Sequence, residues 1–247
     1  AAFLDPGMTY SCALFEHVGE ELETAQERNL DRILDRVGAR EGARLLEIGC
    51  GWGSLAERAV LQRGCRMTCL TLSERQKVWA EDRFRRAGIE DRVEVRLQDY
   101  RDVRGRYDGI VSIEMLEAVG EANLSIYFEQ LARLLASGAR AAIQVITIDD
   151  ALYDEYRRRA DFIQTHIFPG GHLPSPGKLR EVVGAVSELT LERVESIGDS
   201  YAPTLAEWRR RFLAAAPRIR RQGYPAEFLR KWVYYFSYCE AGFRCGR

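Results

Sequence analysis

The stretch Leu45-Leu46-Glu47-Ile48-Gly49-Cys50-Gly51-Trp52-Gly53 decides the reading of the chain. Ala43 to Ile48 is a short apolar run of strand length, and Ser54 to Gln62 follows as a helix. Between them, glycines at alternate positions permit a tight turn and close approach of a ligand to the backbone. The helix beyond the turn opens with N–H groups that have no partner inside the helix. The spacing is GxGxG and not the GxGxxG of dinucleotide folds, so no pyrophosphate cradle is implied.

Outward from this turn, strands and helices alternate. Arg66 to Leu72, Val93 to Leu97, Tyr107 to Ile113 and Ala141 to Ile148 read as strands, with helices over Glu74 to Ala87 and Ala122 to Leu135, the latter closed by Gly138. Ahead of the first strand, Leu22, Ala25, Leu30, Ile33, Leu34 and Val37 recur at helical spacing, and Gly38 follows as a stop signal. Strict alternation implies a doubly wound α/β fold with a mostly parallel sheet and right-handed crossovers, the Rossmann-like class. After Ile148 the pattern changes. Ala151 to Gln164 reads as a helix, His166 to Gly177 as a Pro- and Gly-rich loop, Lys178 to Ser187 as a helix and Leu189 to Ile197 as a sixth strand. Leu205 to Ala215 and Ala226 to Gly242 read as the last helices, and a seventh strand is expected beyond Arg247. One domain is expected over 1–247: an N-terminal helical segment (1–40), a cofactor-binding core (41–148) and a helical cap for substrate (149–247).

Composition narrows the function. The chain has 247 residues, 46% hydrophobic and 30% charged, which suits a globular protein with one core. A net charge of −1 gives no footprint of a nucleic-acid binder. No apolar run approaches about 18 residues, so no membrane span is expected, and no signal peptide is visible. The opening Ala1-Ala2-Phe3, without Met, reads as a processed or truncated start. Cys12, Cys50, Cys65, Cys69, Cys239 and Cys245 lack the CxxC spacing of a zinc site. They read as reduced thiols of a cytoplasmic protein, and no metal is expected.

In open α/β sheets ligands bind at the carboxyl ends of the strands. Two further loops stand there: Thr71-Leu72-Ser73 with Gln76 one turn on, and Gln98-Asp99-Tyr100. The turn resembles the loop with which methyltransferases of this fold class hold the amino-acid end of S-adenosylmethionine. Thr71 and Gln76 then face the ribose hydroxyls, where many methyltransferases place an acid, and Asp99 can accept from the adenine amino group. Asp99 equally suits a turn cap.

The combination of Tyr10-Ser11-Cys12, Glu47-Ile48-Gly49-Cys50-Gly51-Trp52-Gly53, Thr71-Leu72-Ser73, Gln98-Asp99-Tyr100 and Ile167-Phe168-Pro169-Gly170-Gly171 resembles the cyclopropane-fatty-acid synthase family, which includes the mycolic acid cyclopropane synthases. The likeness runs from Tyr10 to Phe243; full-length bacterial relatives often carry a further N-terminal domain. The resemblance implies S-adenosylmethionine held by Tyr10, Ser11, Glu47, Gly49, Gly51, Gly53, Thr71, Ser73, Gln76, Gln98 and Asp99. It implies methylation of a cis double bond in a phospholipid acyl chain. A carbocation forms and then loses a proton to a base, for which the family uses a bound bicarbonate. The bicarbonate ligands map onto Cys12, Glu117 and Tyr235, whereas Gln144 stands where the family has histidine. Glu114 and Ala118 replace a glycine and a histidine of the family pattern. A neutral amide and an added acid beside Glu117 favour a methyl- or methylene-branched product as much as a ring.

The cap, with Phe162, Ile167 and Phe168, is expected to line an apolar tunnel for one acyl chain. His17, His166 and His172 read as surface or loop groups. Arg209-Arg210-Arg211 with Arg218, Arg220 and Arg221, interleaved with Trp208, Phe212 and Ile219, reads either as a solvated helix face or as a contact for anionic headgroups. The expected partners are thus the acyl substrate and the cytoplasmic membrane face, with a homodimer as the assembly and no nucleic acid. Two other readings share the fold: an amine N-methyltransferase, and a protein that holds S-adenosylmethionine without turnover. Intact Cys12, Glu117 and Tyr235 argue against the last.

Overall fold

The computed structural model describes residues 2–246. Five parallel strands form one sheet in the order β3-β2-β1-β4-β5. They are β1 (Arg44–Ile48), β2 (Arg66–Thr71), β3 (Val93–Leu97), β4 (Tyr107–Ile113) and β5 (Leu135–Gln144). The helices between them are α2 (Ser54–Arg63), α3 (Glu74–Arg86) and α4 (Leu124–Leu134), with α1 (Leu22–Val37) ahead of the sheet. The strand order reverses between β1 and β4, which opens a crevice at their carboxyl ends, the usual ligand site of such sheets. Side chains alternate across the sheet. Leu45, Met67, Cys69 and Val111 face a core with α1, α2 and α3, while Leu46, Ile48, Leu70 and Ile110 face a second core with α4.

Local chemistry sets the helix ends. Ser73 caps α3 by accepting the Gln76 N–H, and Gly64 closes α2 in the left-handed conformation. Ser175 caps α7 (Pro176–Gly184), which has proline in its first turn.

Several sequence expectations are corrected. Leu189 to Ile197 forms no strand: Leu191 and Val194 are exposed, and no strand beyond β5 is present among the described residues to supply ladder bonds. The expected helix Ala151–Gln164 is two helices, α5 (Asp150–Tyr156) and α6 (Phe162–His166). Asp161 breaks it by forming a capping box with Gln164 that starts a new helix. The fifth strand starts at Leu135 rather than Ala141, because Gly138 serves not as a helix stop but as a left-handed residue (φ 72°) in a bulge. The register with β4 shifts there from Tyr107↔Leu135 to Gly109↔Arg140. The strand also ends early, at Gln144, since the Ile146 and Ile148 amides leave the ladder for the Glu117 carboxylate and the Pro174 carbonyl. Helix α8 (Gly198–Arg221) outruns the expected Leu205–Ala215 and carries Pro203 and Pro217 inside it.

The chain clusters into two compact units. Leu30–Arg193 holds the sheet and its helices. The other, residues 1–29 with 194–247, is built on α8 and α9 (Ala226–Arg244) packed together around Trp208, Phe212, Trp232 and Phe236, with the Phe3 ring against all four. In that unit the Ala13 and Phe15 amides bond to Thr204 and Ser200 of α8.

Candidate active site

The glycine turn lies at the carboxyl end of β1, anchored by the Gly49 and Cys50 amides, which both donate to Leu70 O. Its glycines serve different ends. A Cβ on Gly49 would lie 2.7 Å from Met115 Cγ, and one on Gly53 2.7 Å from the Phe84 ring, so these two permit close packing. Gly51 combines φ 53° with open space where a Cβ would stand. A ligand can therefore approach the Gly51 backbone closely, and the loop is compatible with S-adenosylmethionine on this ground. Trp52 packs edge to face on Trp79 of α3. Glu47 lies beneath the loop, buried, with Cys69 Sγ donating to its Oε2. Burial pushes its carboxyl well above the usual range.

The two neighbouring loops are preformed. Thr71 Oγ1 donates to Gln76 Oε1 at 2.8 Å and accepts the Ser73 amide at 3.1 Å. The Gln98 amide donates to Thr71 O, which joins the second and third loops. Asp99 caps the short turn Tyr100–Asp102 and accepts from Arg101 through both carboxylate oxygens. The Arg101 guanidinium holds its carboxyl below the ordinary value.

The third group lies where β4 and β5 end. Glu114, the first residue after β4, has φ 48°, a left-handed conformation that is costly for a side chain with a Cβ. Its amide donates to Gln144 O at 2.8 Å, and Gln144 Nε2 donates to its Oε1 at 2.9 Å. In the next turn, Glu117 Oε1 accepts the Ile146 amide at 2.6 Å. Glu117 Oε2 is shielded from solvent and has no hydrogen-bond partner among the described residues. Burial, reinforced by the nearby Glu114 charge, raises the Glu117 carboxyl to about 8. Glu117 is therefore mainly protonated at neutral pH.

The Phe168–Gly171 loop closes on the same turn through the His172 amide, which donates to Glu117 O at 2.8 Å. His172 is buried, a correction to the surface expectation, whereas His17 and His166 are exposed. Tyr153 OH donates to Glu121, which leaves His172 Nε2 to donate to the phenol oxygen. Arg157 completes the group with an ion pair to Glu121. Sequence reasoning missed Tyr153, Glu121 and Arg157 and misplaced His172; the Ile146 contribution is a backbone amide and carries no residue signal at all.

The remaining candidates belong to the α8–α9 unit. Cys12 is buried, its Sγ donating to Ala13 O and, at longer range, Ile197 O, and its carbonyl accepting from Asn29. Ser11 is buried beside it, its carbonyl held by Gln26. Tyr10 and Tyr235 meet hydroxyl to hydroxyl at 3.0 Å. The basic tract divides into arginines paired with carboxylates and arginines exposed at the end of α8, Arg218, Arg220 and Arg221. Arg209 pairs with Glu240, Arg210 with Glu207, and Arg211 with both Glu23 and Glu207, while Trp208, Phe212 and Ile219 are core. No disulfide, no metal-binding cluster and no helix long and apolar enough to cross a membrane occur among the described residues.

A parallel sheet of this order, with a GxGxG turn after its first strand in place of a dinucleotide cradle, is the class I S-adenosylmethionine-dependent methyltransferase fold. Within that class the chain belongs to the mycolic acid cyclopropane synthetase family, whose model matches residues 1–247. It is 42% identical over 253 aligned residues to tuberculostearic acid methyltransferase UfaA1 of Mycobacterium tuberculosis, covering 100% of this chain and 59% of that protein. It is 34% identical to cyclopropane-fatty-acyl-phospholipid synthase of Escherichia coli, covering 98% of this chain and 60% of that protein. The chain thus spans about 60% of the length of these relatives. The solved mycolic acid cyclopropane synthase CmaA1, complexed with SAH and CTAB, superposes with a TM-score of 0.89 at 31% identity, covering 99% of this chain and 88% of that one.

Proposed function

We propose that this chain methylates the cis double bond of an unsaturated phospholipid acyl chain, using S-adenosylmethionine, and that the product is methyl- or methylene-branched rather than a cyclopropane. The observation that carries this reading is the Glu114–Gln144 pair. An ionisable histidine is absent from that position, and the group beside Glu117 is a neutral amide tied to a second carboxylate, a poor receptor for an exogenous anion. The 42% identity to a tuberculostearic acid methyltransferase, against 34% to a cyclopropane synthase, supports the same product class. The sulfonium methyl of S-adenosylmethionine would supply the electrophile, and the residues of the three loops would orient it. Glycines 49, 51 and 53 admit the amino-acid end, Thr71, Ser73 and Gln76 take the ribose, and Gln98 and Asp99 take the adenine; Tyr10 and Ser11 are assigned to the cofactor on the family's motif alone. Cys12, Glu117, Gln144 and Tyr235 are the residues we assign to the chemical step, on the family's motif.

Work on membrane lipid implies a peripheral surface. Since Arg209, Arg210 and Arg211 are paired with carboxylates, the end of α8 and the start of α9 serve better. Arg220, Arg221, Tyr224, Arg230 and Lys231 are all exposed there, and basic residues interspersed with tyrosine suit an anionic headgroup layer. The test is incubation with oleoyl phospholipid and methyl-labelled S-adenosylmethionine. Label in the acyl chain supports the reading; label confined to amines overturns it.

A further inference from the structure

Methylation of an alkene leaves a definite demand on the site, and this inference rests on the reaction proposed above. The π pair of the alkene forms the new C–CH3 bond, and the C–S bond pair stays on sulfur as S-adenosylhomocysteine. The neighbouring carbon becomes a carbocation. A 1,2-hydride shift carries the charge to the carbon bearing the new methyl. Loss of a methyl proton then leaves an exomethylene, the C–H pair becoming the second C=C bond. Loss of the same proton without the shift closes a ring. Either way one proton must reach a base.

The turn after β4 lies beside the cofactor loop, because Met115 fills the space next to Gly49. Three polar side chains cluster there. Gln144 cannot take a proton. Glu117 already holds one at neutral pH, with Oε2 buried and unpartnered among the described residues. Glu114 is the remaining carboxylate, and its position is not a default of the backbone. It occupies φ 48°, where glycine fits without strain, and its carboxylate is oriented by Gln144 Nε2. A strained residue whose side chain is fixed by a second group is the signature of a functional position rather than a packing one.

We infer that the Glu114 carboxylate is the base that accepts the proton released by the carbocation, so that the protein supplies from its own chain the anion this chemistry requires. Gln144 acts as its positioning residue, and protonated Glu117 keeps the cluster at a single negative charge.

The test compares the wild-type chain with Glu114→Gln and Glu114→Gly, using S-adenosylmethionine and dioleoyl phosphatidylglycerol vesicles. Thermal melts and calorimetry establish that each variant folds and binds S-adenosylmethionine. Glu114→Gln keeps the shape and removes the base; product formation is expected to fall by about 100-fold, within the usual range for a lost general base. Glu114→Gly is expected to fall similarly, to melt higher because the left-handed strain is relieved, and to recover at least about tenfold in added formate, as a small carboxylate enters the vacated space. Formate should not rescue Glu114→Gln, whose amide occupies that space. A Glu114→Gln variant within about threefold of wild type overturns the proposal, as does a Glu114→Gly variant that stays inactive in formate while Glu114→Gln is active. A wild-type chain that binds S-adenosylmethionine but transfers no methyl to the alkene overturns the underlying reaction instead, which separates the two failures.

Discussion

Gln144 and Glu114 are joined twice: the Glu114 amide donates to the Gln144 carbonyl at 2.8 Å, and the Gln144 side-chain amide donates back to the Glu114 carboxylate at 2.9 Å. The first bond extends the β4–β5 ladder by one residue. The second fixes the polar ends of two side chains at the mouth of the sheet. Gln144→His breaks the second bond and introduces a group that ionises near neutral pH. The expected outcome is a shift of product from branched toward cyclopropane, read by proton NMR of the lipid. An unchanged ratio would leave Gln144 without a part in the fate of the cation.

Glu117 makes stability depend on pH. Its carboxyl titrates near 8, above the ordinary 4.5, chiefly because it is buried. The folded state therefore keeps a proton that the unfolded chain gives up between those values. The stability tied to that proton is complete below about 4.5 and declines as pH rises through about 8. Glu117→Gln cannot ionise, so its stability relative to wild type should improve with rising pH, by a few kcal/mol across this window. Denaturant titrations at pH 6 and pH 9 check this, and parallel curves for the two proteins would contradict it. Removing the neighbouring charge, as in Glu114→Gly, should move the Glu117 titration downward.

The glycine loop separates packing from binding. Gly53→Ala drives a Cβ to 2.7 Å from the Phe84 ring and should destabilise the fold by about 1–3 kcal/mol. At Gly51 a Cβ meets no atom within 4 Å, so Gly51→Val fills space open to a ligand and strains a positive φ. It should weaken S-adenosylmethionine binding by at least about tenfold, roughly 1.4 kcal/mol. Calorimetry showing full affinity in Gly51→Val would remove the loop from the cofactor site.

Much of this arrangement is legible in the sequence, for reasons tied to particular residues. Tyr107–Ile113, inside the sheet, appears at its observed bounds as a short, largely apolar run, and the edge strand Val93–Leu97 as an alternation of apolar and charged residues. The start of α3 at Glu74 is legible, with Ser73 as its cap, whereas α7 runs Pro176–Gly184 instead of the expected Lys178–Ser187, because Ser175 caps it two residues earlier. Leu189–Ile197 reads as a strand by composition, yet strand formation depends on a neighbour that composition does not reveal. Leu135-Ala136-Ser137-Gly138 reads as a helix end, since a bulge glycine and a helix-stop glycine share the left-handed conformation. In the site, Glu117 and Gln144 stand out as polar residues in apolar surroundings. The Ile146 amide on Glu117, the left-handed Glu114 and the Arg101 clasp on Asp99 arise from backbone geometry and side-chain reach, which spacing does not encode.

Within the α8–α9 unit, the Tyr10–Tyr235 hydroxyl contact is a single partly buried hydrogen bond. Tyr235→Phe should cost about 1 kcal/mol of stability. A larger loss of turnover, with S-adenosylmethionine affinity intact, would mark the hydroxyl as part of the chemistry; an activity that tracks stability alone would reduce it to packing.

Arginines that look alike in the sequence should behave differently at a bilayer. Charge reversal at Arg220, Arg221 and Lys231 should weaken binding to anionic vesicles by about 1 kcal/mol per residue, and added salt should mimic it. Arg211→Ala removes ion pairs to Glu23 and Glu207 and should lower stability with little effect on vesicle binding. Flotation assays that rank the two sets in the opposite order would place the membrane surface elsewhere.

The most direct test of the central claim is the structure of the lipid product. Purified protein is given oleoyl phospholipid and S-adenosylmethionine carrying a labelled methyl group, and the acyl chains are analysed by mass spectrometry and proton NMR. The account predicts one added carbon with exomethylene or methyl-branch signals. Upfield cyclopropane protons as the main signal would contradict the branched product, and an unlabelled acyl chain would contradict lipid methylation itself.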